Sequence, residues 1–223
     1  MNNPWSEFEE SEFMIHPDDV LAVNAHNASS GRKYQFLFHL APEPWIGNVD
    51  SPLVILYANP GATELDLTGK PQFKAQEIKK LARINLRQEP SLFPHFFFSP
   101  ELVGTQGQNW YFKTFKDLLL HASPLEISNK VLTCEMAPYH SKNWRQPKTE
   151  IPTQAYTNLL VEKAMKRKSL ILIHRGSNFW LNEVKGLKDY PLAFKPNSSQ
   201  SPYVSAGNYP KIFDDILEIV KGK

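Results

Sequence analysis

Four short apolar runs punctuate the chain, at Leu53–Tyr57, 131–134, Leu170–Ile173 and 191–194. Each is continuous rather than alternating, which predicts strands buried on both faces, as in a parallel sheet. Around them apolar residues recur at helical spacing. Ala75–Leu86 carries them at 78, 81, 82 and 86, and 111–121 at 112, 115, 118 and 119. The stretch 153–166 carries them at 156, 159, 160 and 164, and 209–220 at 212, 213, 216, 217 and 220. Strands alternating with helices predict an α/β fold: a three-layer αβα arrangement around a central, mostly parallel four-stranded sheet. Asp18 and Asp19, after Pro17, predict a short helix from Val20 within an N-terminal extension over 1–33. The stretch 34–38 reads as extended, and 90–110 as a long ordered loop or hairpin whose Phe96-Phe97-Phe98 fills core. With no internal repeat or low-complexity tract, 1–223 reads as a single domain.

The polar residues gather where these strands end. The first strand runs into Asn59-Pro60-Gly61, and the second into Glu135-Met136-Ala137-Pro138-Tyr139-His140. The third runs into His174-Arg175-Gly176-Ser177-Asn178, and the fourth into Lys195-Pro196-Asn197-Ser198-Ser199-Gln200-Ser201-Pro202. In an open parallel sheet, ligands bind outside the carboxyl ends of the strands, so the four loops are expected to share one pocket. Taken singly, each has a structural explanation. Asn-Pro-Gly is a turn sequence, Gly176-Ser177 suits a helix N-terminus, and His140 or His174 alone suits a hydrogen-bonded structural histidine. Glu135 is different, because a carboxylate at the end of a buried strand needs a partner.

Charge and composition narrow the classes without choosing one. A net charge of +2 over 223 residues permits a nucleic-acid partner only if the cations cluster. One cysteine, Cys134, excludes an internal disulfide. The N-terminus lacks the basic start and apolar run of a signal peptide, and no apolar stretch approaches the ~20 residues that span a bilayer. The expectation is a cytoplasmic monomer with no membrane partner. No His/Cys/carboxylate spacing matches a metal site, and no cofactor is implied. Lys163, Lys166, Arg167 and Lys168 close a helix, where cations complement the dipole.

A hydrophobic strand entering Asn59-Pro60-Gly61 resembles the first motif of the uracil-DNA glycosylase superfamily, nearest its single-strand-selective and mismatch-specific branches. Thr68-Gly69-Lys70-Pro71-Gln72-Phe73 is similar to the former branch at about the same distance. The stretch 197–202, followed by Gly207 and Lys211-Ile212-Phe213, resembles the family's second signature, and 170–177 its strand ending in Gly-Ser. The resemblance covers roughly 40–220 in order and spacing. It implies a monofunctional glycosylase that hydrolyses the N-glycosidic bond of a base flipped out of DNA. On that reading Asn59 holds the attacking water and Asn197 stabilises the leaving base. Tyr57, Ala58, Phe73, Glu135 and His140 surround the base, with Phe73 as the stacking ring. Ser177, Ser199, Gln200 and Ser201 grip phosphates, Lys142, Arg145, Arg175 and Lys195 form a positive rim, and Tyr203 or Val204 wedges into the vacated stack.

Two positions depart from the family pattern. Tyr57 stands where Gly is usual, and Glu135 where some branches carry an Asn. An ionised Glu only accepts hydrogen bonds, which would favour a base offering a donor such as an exocyclic amine. A catalytically silent member of the fold that binds nucleic acid or a partner protein is the alternative these departures support. A hydrolase using Cys134 or Ser177 with His140 or His174 is a third reading, though Ser177 lacks the Gly-x-Ser-x-Gly elbow.

Overall fold

The computed structural model describes residues 1–9, 14–198 and 201–222. In chain order its elements are α1 (Val20–Ala28), β1 (Trp45–Ile46), β2 (Leu53–Tyr57), α2 (Ala75–Leu86), α3 (Gln106–Thr114), α4 (Lys116–Leu119) and α5 (Pro124–Lys130). They continue with β3 (Val131–Glu135), α6 (Gln154–Lys166), β4 (Leu170–Ile173), α7 (Ser177–Glu183), β5 (Ala193–Phe194) and α8 (Phe213–Lys221). Every residue of β2, β3 and β4 is buried, so both faces of the central strands are covered. This is why their sequences are continuous apolar runs.

The strands form one five-stranded sheet in the order β1-β3-β2-β4-β5. All pairings are parallel except β1 with β3. From β2 the chain steps to β3 on one side, then returns across β2 to β4 and continues outward to β5. The winding therefore reverses at β2, and the crevice that such a reversal opens lies at the carboxyl ends of β2 and β4.

The sheet has one strand more than the four expected. The additional strand, β1, is two residues long and lies in the proline-rich lead-in. Asn85 of α2 completes its hydrogen bonding, accepting from Gly47 N at 3.0 Å and donating to Trp45 O at 2.7 Å. Gly47 allows this edge to close tightly: its φ is +120°, and a Cβ there would lie 2.3 Å from Val131 O.

Other differences are local. The stretch 34–38 is preceded by a 3-10 turn at Arg32–Tyr34 and contributes only a bridge between Leu37 and His140. Within 90–110 are 3-10 turns at Phe96–Phe98 and Pro100–Leu102, followed by the start of α3. The helix expected over 111–121 begins earlier, at Gln106, and breaks at Phe115 into α3 and α4. Helix α5 is an addition, opened by a capping box between Ser123 and Glu126.

The N-terminal stretch is packed into the core, where Trp5 is fully buried and Met14 nearly so. Asp19 fixes it there. Its carboxylate accepts from Tyr139 Oη at 2.6 Å, Thr153 N at 3.0 Å and Thr153 Oγ1 at 2.7 Å. No helix among the described residues is long and apolar enough to cross a membrane.

Candidate functional site

At the carboxyl edge, where the winding reverses, lies a cavity of about 740 Å³. Its wall takes Tyr57 to Gly61 from the end of β2, Glu135 from β3 and His174 to Ser177 from the end of β4. His140, Ser141 and Lys142 come from the loop after β3, and Lys195 and Pro196 from beyond β5. All four strand-end loops therefore reach one cavity. Trp110 of α3, Trp144, Glu43 and Asp66 join them.

Asn59 is held by its amide nitrogen, which donates to Pro60 O at 2.8 Å and Ser141 Oγ at 2.9 Å. Ser141 Oγ in turn donates to Asn143 O at 2.8 Å, so the relay fixes which face of the amide is committed. Its Oδ1, the acceptor end, makes no hydrogen bond within the described residues and is the part of Asn59 available to a water or ligand.

Glu135 and Tyr57 are register partners at the ends of β3 and β2, and His174 follows Ile173, the partner of Leu56, on β4. The three side chains thus lie in one row across adjacent strands. Each is at least nine-tenths buried, and each carries a buried polar atom with no partner: Glu135 Oε2, Tyr57 Oη and His174 Nε2. The rings of Tyr57 and His174 are 5.3 Å apart, and Trp110 packs edge-on against Tyr57 at 5.5 Å. Burial, reinforced by the carboxylate of Glu43, pushes the Glu135 carboxyl well above the usual range, with Arg175 only partly opposing it. That shift is towards the protonated acid, which both donates and accepts. This differs from the acceptor-only carboxylate expected from the sequence. Burial, helped by Arg175, lowers His174 to about 4 against a weaker pull from the Ser201 backbone, leaving a neutral ring.

His140 has the opposite balance. Burial disfavours its charge, but the Glu43 carboxylate 3.6 Å away raises its pKa. Its nitrogens face Gly61 O at 2.8 Å and Ala41 O at 3.0 Å, so the ring tethers the Asn59 loop to the lead-in before β1. Asp66 is also committed, accepting from Thr63 N, Thr63 Oγ1 and Gln72 Nε2. Burial raises the Asp66 carboxyl, but these hydrogen bonds outweigh it and hold the group below its ordinary value.

Gly176 opens α7 with φ +67° and brings the β4 loop against Ala58, 3.8 Å from where a Cβ would stand. That conformation is strained for any residue with a side chain. Ser177 is the first residue of α7 and lies on the cavity wall. At the rim Arg175 and Lys195 are exposed, while Lys142 is paired with Glu64.

Several expected residues stand elsewhere. Asn197 is exposed and outside the cavity wall, its side chain donating to Gly207 O at 3.0 Å. Phe73 is 64% exposed, lies off the wall and has Lys74 over its ring. Ser201 accepts from Asn208 Nδ2 at 2.8 Å rather than lining the cavity. Arg145 is exposed and off the wall; Tyr203 is half-buried and also off the wall, with Lys116 over its ring, and Val204 is fully buried. Ser199 and Gln200 lie outside the described residues. Cys134 is fully buried in β3 with its thiol pushed up by burial, so it cannot serve as a nucleophile.

Sequence reasoning missed Glu43, Trp110 and Ser141. Only Trp110 carried a signal, as a large aromatic at the end of an aromatic-rich segment. Comparison with family models, curated proteins and solved structures yields no match.

Proposed function

We propose that the protein is a glycosylase-like hydrolase that takes a nucleobase flipped from DNA into the strand-end cavity and cleaves its N-glycosidic bond. The three-layer αβα arrangement of the uracil-DNA glycosylase superfamily is the corresponding fold reading. The observation that carries it is Asn59: an amide whose nitrogen is held by Pro60 O and Ser141 Oγ, leaving an acceptor oxygen on the wall of the strand-end cavity.

In the reaction a water adds to C1′ of the sugar as the C1′–N bond breaks and the base departs with the bonding electrons; the water's proton passes to solvent, from which the departed base takes one up. Asn59 Oδ1 orients that water by accepting from one of its O–H groups. Leaving-base stabilisation, given to Asn197 by the resemblance, passes here to Glu135, whose neutral carboxyl can donate to the base as negative charge develops. Trp110 stacks on the base at the mouth, and Arg175 and Lys195 meet the flanking phosphates.

The catalytically silent reading is favoured by one observation: among the described residues no carboxylate hydrogen-bonds Asn59, whose side chain bonds only Pro60, Tyr139 and Ser141. One experiment separates the two. Oligonucleotides carrying a panel of bases, single- and double-stranded, are incubated with the protein and scored for abasic sites by alkaline cleavage. The expected result is release of at least one base, with Asn59→Ala lowering release about 100-fold or more while DNA affinity persists. DNA binding without release of any base supports the silent reading, and neither binding nor release sinks both.

A further inference from the structure

His140 stands among acceptors. Its Nδ1 lies 2.8 Å from Gly61 O and its Nε2 3.0 Å from Ala41 O, with Glu43 Oε1 3.6 Å from the same Nε2. A carbonyl oxygen has no proton to give, so each ring nitrogen must donate. A neutral imidazole carries one N–H and satisfies one carbonyl; the imidazolium satisfies both. The side chain of His140 is 11% exposed and that of Glu43 8%, so little water reaches either group. The buried carboxylate thus has its counter-ion in the ring.

The place of this ring decides what its proton controls. Beyond the ends of β2 and β3 the two strand-end loops stay zipped by backbone bonds. Met136 N donates to Tyr57 O at 3.3 Å, Ala137 N to Ala58 O at 3.0 Å and Ser141 N to Pro60 O at 3.2 Å. The next bond, to Gly61 O, comes from the His140 side chain. Asn59 lies inside this run, and its amide nitrogen donates to Ser141 Oγ, one residue after His140. On its other side the ring reaches the lead-in before β1, where Leu37 N donates to His140 O at 2.9 Å. Of these bonds, only those from the His140 ring can be lost by titration.

We infer that His140 acts as an imidazolium and is the positioning residue of Asn59: its charged ring, balanced by Glu43, clamps Gly61 to Ala41 and keeps the Asn59 acceptor oxygen on the cavity wall. The clamp itself does not depend on the reaction; its effect on turnover rests on the proposal that Asn59 holds the attacking water. When one proton leaves, Glu43 favours keeping the other on Nε2. Nδ1 then turns a lone pair to Gly61 O, and the clamp opens on the Asn59 side. Burial opposes the charge, but Glu43, Gly61 O and Asp66 outweigh it and raise the His140 pKa from its ordinary 6.5. The clamp is therefore closed below pH 6.5 and is lost as pH rises through the raised value. The other ionisable groups around the ring are few. His39 in the lead-in has its pKa lowered by burial. Glu64, near Asp66 on the loop after β2, is paired with Lys142, and Glu135 faces Glu43 from the end of β3.

The test follows the His140 ring nitrogens and the amides of Asn59 and Gly61 by NMR of the intact, isotope-labelled protein through a pH titration. The ring is expected to carry two protons below pH 6.5 and one, on Nε2, well above it. Asn59 and Gly61 are expected to shift at the same midpoint. Glu43→Gln is expected to lower that midpoint by about one pH unit or more. His140→Gln keeps one donor but cannot titrate, and is expected to abolish the transition at Asn59 and Gly61. In base release, kcat is expected to fall at least about fivefold as pH rises through the midpoint, with KM nearly unchanged. A ring carrying one proton below pH 6.5, or Asn59 and Gly61 that do not follow it, would overturn the inference from the wild-type protein alone. Release whose rate shows no step at the ring's midpoint overturns the positioning role and leaves the glycosylase reading intact. Asn59 and Gly61 following the ring, with no base released from any oligonucleotide, sinks that reading and upholds the clamp.

Discussion

Asn59 shows how one side chain's usefulness depends on another. Without Ser141 its amide nitrogen keeps Pro60 O but loses the second of its two short hydrogen bonds, so the acceptor oxygen is held less firmly where a water needs it. Ser141→Ala is therefore expected to lower kcat for base release about tenfold, with KM and Tm nearly unchanged, in steady-state kinetics beside a thermal melt. A fall in Tm with kcat preserved would make the serine structural instead. Glu135 gives a second prediction at this scale. Its folded-state carboxyl keeps its proton above the ordinary value of 4.5, where the unfolded chain has released it. The folded protein then binds more protons, so this group's contribution to stability is intact below pH 4.5 and declines as pH rises. Thermal melts of Glu135→Gln are expected to match the wild type near that lower limit and to exceed it at pH 8. A variant less stable than the wild type at pH 8 would reverse the assignment.

Among the elements, β1 depends most on a single distant residue. Asn85 reaches it from α2, bonding groups 38 and 40 positions away in sequence. Asn85→Leu keeps the approximate volume but leaves Gly47 N and Trp45 O unpaired, and is expected to destabilise by about 2–4 kcal/mol in chemical denaturation. A change below 1 kcal/mol would mean that water replaces the amide at this edge. The same remoteness explains why β1 was not legible in the sequence: two residues carry no period, and what holds them lies on another element. By contrast β2, β4 and α2 were legible to the residue, because burial on both faces or along one stripe is written into their apolar pattern. Helix α3 was only half legible. Its first turn, Gln106 to Asn109, is polar and contains Gly107, which helix propensity disfavours. Phe97 requires that glycine, since a Cβ would fall 2.1 Å from its ring. For the cavity, the strand-end rule located the loops from β2, β3 and β4. Glu43 arrives by long-range packing that no local pattern encodes, and the burial that raises the Glu135 carboxyl arises the same way.

For the molecule as a whole, buried titratable groups set opposing slopes. Burial lowers His95 to about 3 and His174 to about 4, from an ordinary 6.5. Both stay neutral in the fold while the unfolded chain takes up protons, so their contribution to stability falls as pH drops below 6.5. Each is expected to cost on the order of 2 kcal/mol between pH 7 and pH 5, read from denaturation midpoints at the two values. Between pH 4.5 and 6.5 the two effects therefore oppose one another, the histidines favouring the higher pH and Glu135 the lower. Equal midpoints at pH 5 and 7 would show that both rings reach water in the native state. The buried thiol of Cys134, one position before Glu135, offers a way to watch the same molecule move. It is the chain's sole cysteine and lies wholly inside the central sheet, so a thiol reagent modifies it only when that sheet comes apart. Labelling is then a clock for rare excursions from the native state, and any compound bridging the strand ends should slow that clock in proportion to its occupancy.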